Sequence, residues 1–147
     1  MLSKKLHEAM NAQINAELWS AYLYLSMSMD AEAKGLKGIA NWFYVQFREE
    51  QDHARIFMNY ILSRDAEVKL LPIEEVRTKW ASPLEMFQDT LKHEKEVTAM
   101  IGNLAAIAAD PALDEDTVIV PFSSLKNEGR DEVLRQFGMV TGIRMSK

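Results

Sequence analysis

Cysteine is absent from this 147-residue chain, and with it go disulfides, thiolate zinc sites and cysteine-ligated iron–sulfur clusters. Glycine and proline are scarce, at six and four residues, while Ala, Leu, Met, Glu and Lys are plentiful, a balance that favours helix. No basic block is present: 17 Lys and Arg stand against 22 Asp and Glu, for a net charge of −5. The electrostatic footprint of nucleic-acid binding is therefore missing, whereas an acidic surface is compatible with gathering cations. The chain has no run of about 18 apolar residues, and Met1-Leu2-Ser3-Lys4-Lys5 leads into an amphipathic pattern without the apolar core of a secretion signal. No membrane association is expected, and the cytoplasm is the expected compartment.

What is present is helical periodicity. The length suits a single domain over 1–147 with a substantial core. A first helix is predicted over residues 3–32, with an inward line of Leu6, Met10, Ile14, Glu17, Ala21, Leu25 (or Tyr24) and Ser28. The turn Ala33-Lys34-Gly35-Leu36-Lys37-Gly38 closes it and opens a second helix over 37–64. That helix runs Ile39, Phe43, Phe47 (or Gln46), Glu50, Ala54 (or His53), Phe57, Ile61. A link this short makes the two helices antiparallel neighbours. The midpoint of Glu17 and Glu50 in sequence falls inside the turn segment, so they lie level.

Between residues 65 and 82 the helical period fails and Pro72 forbids continuity. At ~3.3 Å per residue this segment can run the length of a bundle, as a long crossover that would make the helices on either side of it parallel. Ser82-Pro83-Leu84-Glu85 then carries an N-cap serine, proline at the first helical position and a glutamate three residues on. The third helix has a predicted line of Leu84, Phe87, Leu91, Glu94, Thr98 (or Val97), Ile101, Ala105 and Ala108. A turn is expected at 110–115, with irregular chain at Val118-Ile119-Val120-Pro121. A short, imperfect fourth helix follows, along Phe122, Leu125, Gly129, Val133, Phe137 and Val140.

Three glutamates, Glu17, Glu50 and Glu94, thus occupy positions where the pattern asks for apolar residues. His53 stands one turn from Glu50 on the same side of its helix. One such intrusion is most simply a surface residue on a slightly rotated helix. Three together, two of them level, point to a metal site, because a buried carboxylate must be neutralised, paired or bound to a cation. Hard oxygen donors with a single imidazole suit Fe(II) and Fe(III), with Mn or Zn accepted less selectively. Glu50 is placed to bridge two ions and His53 to cap one. Tyr24, two turns from Glu17, could hydrogen-bond a ligand or donate an electron, and equally suits a core position. Glu49 could hold a transiting ion, although an exposed acid is the commoner meaning. His7 and His93 fall off the predicted lines and are expected to be solvated. The nine Met residues read as core filler, Met58 lies off the stripe, and nothing suggests haem ligation.

Several stretches resemble the prokaryotic non-haem ferritins. They are Asn11-Ala-Gln-Ile-Asn-Ala-Glu17-Leu-Trp-Ser-Ala-Tyr-Leu-Tyr24, Gly35-Leu-Lys-Gly-Ile-Ala-Asn-Trp42, Glu49-Glu50-Gln-Asp-His53-Ala, Ser82-Pro-Leu-Glu-Met-Phe87 and His93-Glu94-Lys-Glu-Val-Thr98. The resemblance covers residues 1–109. It implies an all-α, ferritin-like four-helix bundle with a long crossover between the second and third helices, assembled as a homo-oligomeric 24-subunit cage. It further implies an iron-storage protein whose di-iron ferroxidase centre oxidises Fe(II) with O2 or peroxide and deposits Fe(III) mineral. Glu17, Glu50, His53 and Glu94 match the metal ligands of that family, Glu49 an accessory-site acid and Tyr24 the nearby tyrosine.

The last third departs from the family. Where such ferritins carry Gln and a run of glutamates on the fourth helix, this chain reads Ser123-Ser-Leu-Lys-Asn-Glu128-Gly-Arg-Asp-Glu132. A short or irregular fourth helix is therefore expected, with no fifth helix after it. Glu132 and then Glu128 lie closest to the apolar stripe, where either could replace the missing ligand; the equal alternative is that both are solvated. The alternative to a ferroxidase is a metal-binding bundle without turnover because that ligand is lost; a third reading is a bundle with no metal at all.

Overall fold

The computed structural model describes residues 2–109, which form three helices and one long irregular segment. Helix α1 spans Lys4–Ala33, α2 Lys37–Ser63 and α3 Pro83–Ala108. No strand occurs among the described residues, and residues 66–80 carry neither helix nor strand. None of the described helices is long and apolar enough to cross a membrane. The expected turn at 110–115, the short fourth helix, Glu128, Glu132 and the absence of a fifth helix all lie outside the described residues.

Local chemistry sets the helix ends. Ser3 Oγ accepts the Leu6 amide at 3.2 Å and Ser82 Oγ the Glu85 amide at 3.2 Å, each satisfying a donor that the first turn leaves open. The expected capping box is modified: Glu85 reaches back one residue further, to the amide of Ala81. At the end of α1, the Leu36 amide bonds Ala31 O and the Gly35 amide bonds Glu32 O, both at 3.0 Å. This Schellman closure needs a left-handed residue, supplied by Gly35 at φ +75°. Gly38 lies inside α2 and serves no turn. The end of α2 repeats the closure with Asp65 at φ +54°.

Two apolar clusters fix the helix directions. One joins Leu6, Met10 and Ile14 of α1 to Phe57 and Ile61 of α2 and to Val97, Ile101, Leu104 and Ala108 of α3. The other joins Tyr24, Met27 and Ala31 to Ala40 and Phe43, to Met86, and to Val76 and Trp80 of the crossover. The start of α1 therefore meets the ends of α2 and α3. Both run antiparallel to α1 and parallel to each other, as the crossover length requires. Each fully buried Phe or Ile in these clusters contributes on the order of 1.5–3 kcal/mol.

The crossover is tied along the whole of α1. Near its start Asn11 Oδ1 accepts the Lys69 amide at 2.7 Å, and His7 Nε2 lies 2.6 Å from Glu67 O. Further along, Ser26 Oγ donates to Arg77 O at 2.7 Å. At the far end the Trp80 amide donates to buried Asp30 at 3.1 Å, and Lys34 bridges Asp30 and Trp80 O. Arg77 then pairs with Glu85 and Asp89 at 2.7 and 2.8 Å, joining the crossover to the start of α3.

Two expectations are corrected here. The predicted line of α3 is rotated by about one residue in its first half: Met86, Thr90, His93 and Val97 are buried, while Leu84 and Leu91 are 67% and 59% exposed. Helix α3 carries apolar residues on two adjacent faces, and the one with the larger side chains is not the one that meets α1. The histidines are not solvated either. His93 is buried, and half-buried His7 is bonded to the crossover. In α1 the core position is Tyr24, with Leu25 only half-buried.

Candidate metal centre

Between the two apolar clusters the bundle interior turns polar. Glu17 is fully buried, Glu50 is 3% exposed and His53 8% exposed. The short hairpin places α2 beside α1 in the register that brings Glu17 level with Glu50, and the one-turn spacing from Glu50 adds His53. One donor atom from each of these three residues lies within 4.8 Å of the other two. His53 Nδ1 is 3.6 Å from Glu50 Oε2 and 3.9 Å from Glu17 Oε2. Ligand atoms bound to one ion at roughly 2.0–2.2 Å can be at most about 4.4 Å apart, so both separations are those of atoms that can share an ion.

The donor set itself fits a first-row divalent cation: two carboxylates and one imidazole, with no sulfur. Two carboxylates in a dry layer are also costly without positive charge to balance them. The layer is oriented from outside: Gln13, buried on the turn before Glu17, donates its amide N–H to Glu17 Oε1 at 2.9 Å. Such a bond restricts the carboxylate rotamer and leaves Oε2 on the His53 side. Gln13 was not among the residues singled out from sequence. Its signal is the i, i+4 spacing to Glu17 on a buried face.

The remaining predicted site residues are placed as follows. Tyr24 is completely buried, stacked on Phe43 with ring centroids 6.2 Å apart, and its hydroxyl donates to Glu94 Oε1. Glu94, half-buried on α3, stands outside the three-residue donor group and faces Tyr24. Glu49 is half-buried beside Glu50. The described residues thus bring Glu17, Glu50 and His53 into one group and Glu94 and Tyr24 into a second. His93, missed from sequence, sits at this height with its Nε2 2.7 Å from Ser20 Oγ.

Comparison with known proteins agrees with this arrangement. The family described as a ferritin-like domain matches residues 7–118. A bacterial non-heme ferritin from Bacteroides fragilis is 43% identical over 109 residues, which are 74% of this chain and 69% of that relative. The bacterial non-heme ferritin of Staphylococcus aureus is 36% identical over 122 residues, 83% of this chain and 72% of the relative. Among solved structures, an open pore ferritin from the hyperthermophilic archaeon Archaeoglobus fulgidus superposes with a TM-score of 0.72 at 44% identity, over 74% of this chain and 67% of that one. A family match over residues 7–118, with relatives at 43% and 36% identity, shows that the chain belongs to the ferritin family.

Proposed function

We propose that this chain stores iron and oxidises Fe(II) at the Glu17–Glu50–His53 centre, with Glu94 completing the site for a second ion. The observation that carries this reading is the buried three-residue donor group set between two apolar clusters. Fe(II) is substrate here. Two Fe(II) ions give up one electron each, and O2 takes both electrons with two protons to form hydrogen peroxide; peroxide in its turn takes two electrons and two protons to form water. The chain's own part is to hold two cations close enough that both electrons leave together. Glu50 would be the bridge, since it shares a helix with His53 and a donor group with Glu17 of the neighbouring helix. A ligand set poor in nitrogen holds Fe(III) weakly enough to release it for mineral deposition. Glu49, half-buried beside Glu50, would pass the ion on, and Tyr24, hydrogen-bonded to Glu94, would supply an electron. Assembly into a homo-oligomeric cage of 24 subunits would provide the space for that mineral. Mn or Zn could occupy the same donors.

The test is the rate of Fe(II) oxidation. The double variant Glu50→Ala, His53→Ala removes two of three donors and should lower the rate by at least about 100-fold, beyond the ~10–100-fold typical of outer partners. A double variant as fast as the parent chain would end the enzymatic claim. A second reading has its own observation: the described donor group numbers three residues, enough for one ion, with Glu94 turned to Tyr24. On that reading the bundle binds metal without turnover, and Fe(II) would bind stoichiometrically without consuming oxygen.

A further inference from the structure

The contact between α1 and α3 contains a polar pair that the metal-centre reading does not use. His93 is 8% exposed and its Nε2 lies 2.7 Å from Ser20 Oγ. The Ser20 hydroxyl donates to Ala16 O at 2.8 Å, a common way for serine to satisfy itself inside a helix. With its one proton committed there, the oxygen accepts from the ring, which places the imidazole proton on Nε2. The ring is held on two further sides. Trp19 is tilted against it with centroids 5.2 Å apart, and Tyr24 meets it edge-on at 5.9 Å. The residue that follows, Glu94, accepts the Tyr24 hydroxyl.

This pair sits between the apolar anchors of α3, Met86 on one side and Val97 on the other. Between Met86 and Val97 the buried positions of α3 are Thr90 and His93 alone, and Leu91 is exposed. Thr90 donates to Met86 O at 2.9 Å within its own helix and reaches α1 only through a long contact with Met27 Sδ at 3.6 Å. A helix turns by 100° per residue, so a modest rotation of α3 would swing Glu94 away from Tyr24. The directional bond from His93 to Ser20 opposes that rotation one residue before the carboxylate.

We propose that His93, held by Ser20, is a positioning residue: it fixes the rotation of α3 so that the Glu94 carboxylate stays at the Tyr24 hydroxyl, where it serves a second divalent cation beside the Glu17–Glu50–His53 group. The inference rests on the metal-centre reading above and adds the device that keeps its third helix in register.

The experiment titrates the full metal-free chain with Co(II), following visible absorption for stoichiometry and affinity, and thermal melting for the fold. The parent chain should take two ions. Ser20→Ala and His93→Phe should keep the first ion at parental affinity and bind the second at least ten-fold more weakly. His93→Gln, whose amide can still reach Ser20, should recover most of that loss. A purely structural role would move melting without separating the two ions. Variants that bind both ions as the parent does overturn the positioning role alone. A second-ion loss that follows lowered melting and is not recovered by His93→Gln overturns it as well. A parent chain that takes only one ion also overturns it while leaving the first site standing, and one that takes none overturns both this proposal and the metal centre.

Discussion

At the start of α1, Leu6, Met10 and Ile14 meet Phe57, Ile61, Val97 and Ile101 in an apolar cluster. One turn further on, Gln13, Glu17 and Ser20 meet Glu50, His53 and His93, all buried and all polar. Both layers are built by the same three helices, yet different forces hold them. The apolar layer is stabilised by area removed from water and tolerates exchange among side chains of similar volume. The polar layer opposes folding unless its charges are balanced, and its geometry is directional. The stability of the bundle therefore resides at its ends, and the chemistry in the middle.

Substitutions that act on only one layer can break this comparison. Phe57 is 1% exposed in the apolar layer, one helical turn beyond His53, and offers no ligand atom of its own. Phe57→Ala should cost about 3–5 kcal/mol, from lost transfer energy and the cavity left behind, with the Co(II) stoichiometry of the folded fraction unchanged. Urea unfolding of the metal-free protein measures it, and a loss below about 1 kcal/mol would mean that this end is not where stability resides. Glu17→Gln should have the opposite sign. The amide keeps the shape and an acceptor for Gln13 Nε2 while removing a charge from a fully buried position. Metal-free stability should rise by about 1–3 kcal/mol, and divalent cation affinity should fall. A metal-free protein destabilised by this change would show that the carboxylate is already well compensated.

The division between layers also explains what could be read from sequence. Glu17 and Glu50 are legible because a glutamate on an otherwise apolar line contradicts its neighbours, and a short hairpin fixes their common height. His53 follows from its spacing to Glu50. In α3 the same logic fails, because Leu84, Phe87 and Leu91 form a more conspicuous apolar line than the Met86, Thr90, His93 and Val97 that meet α1. Periodicity reports that a face is apolar, not which of two faces a given neighbour covers. Glu94 lies on the line selected from sequence and is half-buried next to the true one, so it was found for a reason only partly correct. The crossover anchor at Asp30 left no periodic signal, since Lys79 and Trp80, its partners in the crossover, are set by tertiary contact.

That anchor is a third kind of buried charge, one compensated within the fold. Burial by itself pushes the Asp30 carboxyl up, but the hydrogen bonds from Lys34 and the Trp80 amide, with the charges of Lys34 and Lys79, hold it below its ordinary value. Glu85 is lowered as well, by its hydrogen bonds to Arg77 and the Ala81 amide. A carboxylate lowered on folding contributes stability that is fully present above its unfolded value and is lost as pH falls through the folded one. The anchor should therefore hold at neutral pH and loosen below about pH 4, the ordinary aspartate range. Hydrogen exchange of the Trp80 amide reports it directly, because that amide donates to Asp30. Protection should fall across the acid window in the parent chain and be low and insensitive to pH in Asp30→Asn. A protection profile that stays flat in the parent chain would remove the anchor from the forces that place the crossover.

The smallest effect is expected outside all of these layers. Lys4 and Glu8 lie 3.8 Å apart on α1, on either side of Leu6 in sequence, with side chains 89% and 66% exposed. The pair has the same spacing on the helix as Lys34 and Asp30, and differs in that water reaches both partners. Exposed i, i+4 pairs contribute only a few tenths of a kcal/mol, and salt screens them. Lys4→Ala should therefore shift the melting temperature by less than about 2 °C, with even that difference vanishing at 1 M salt. Lys34→Ala should lower it by more, because it strips a buried carboxylate of its nearest cation. If the two substitutions prove equal, burial is not what separates a structural ion pair from a solvated one in this bundle, and the case for cation binding at the buried Glu17 and Glu50 weakens with it.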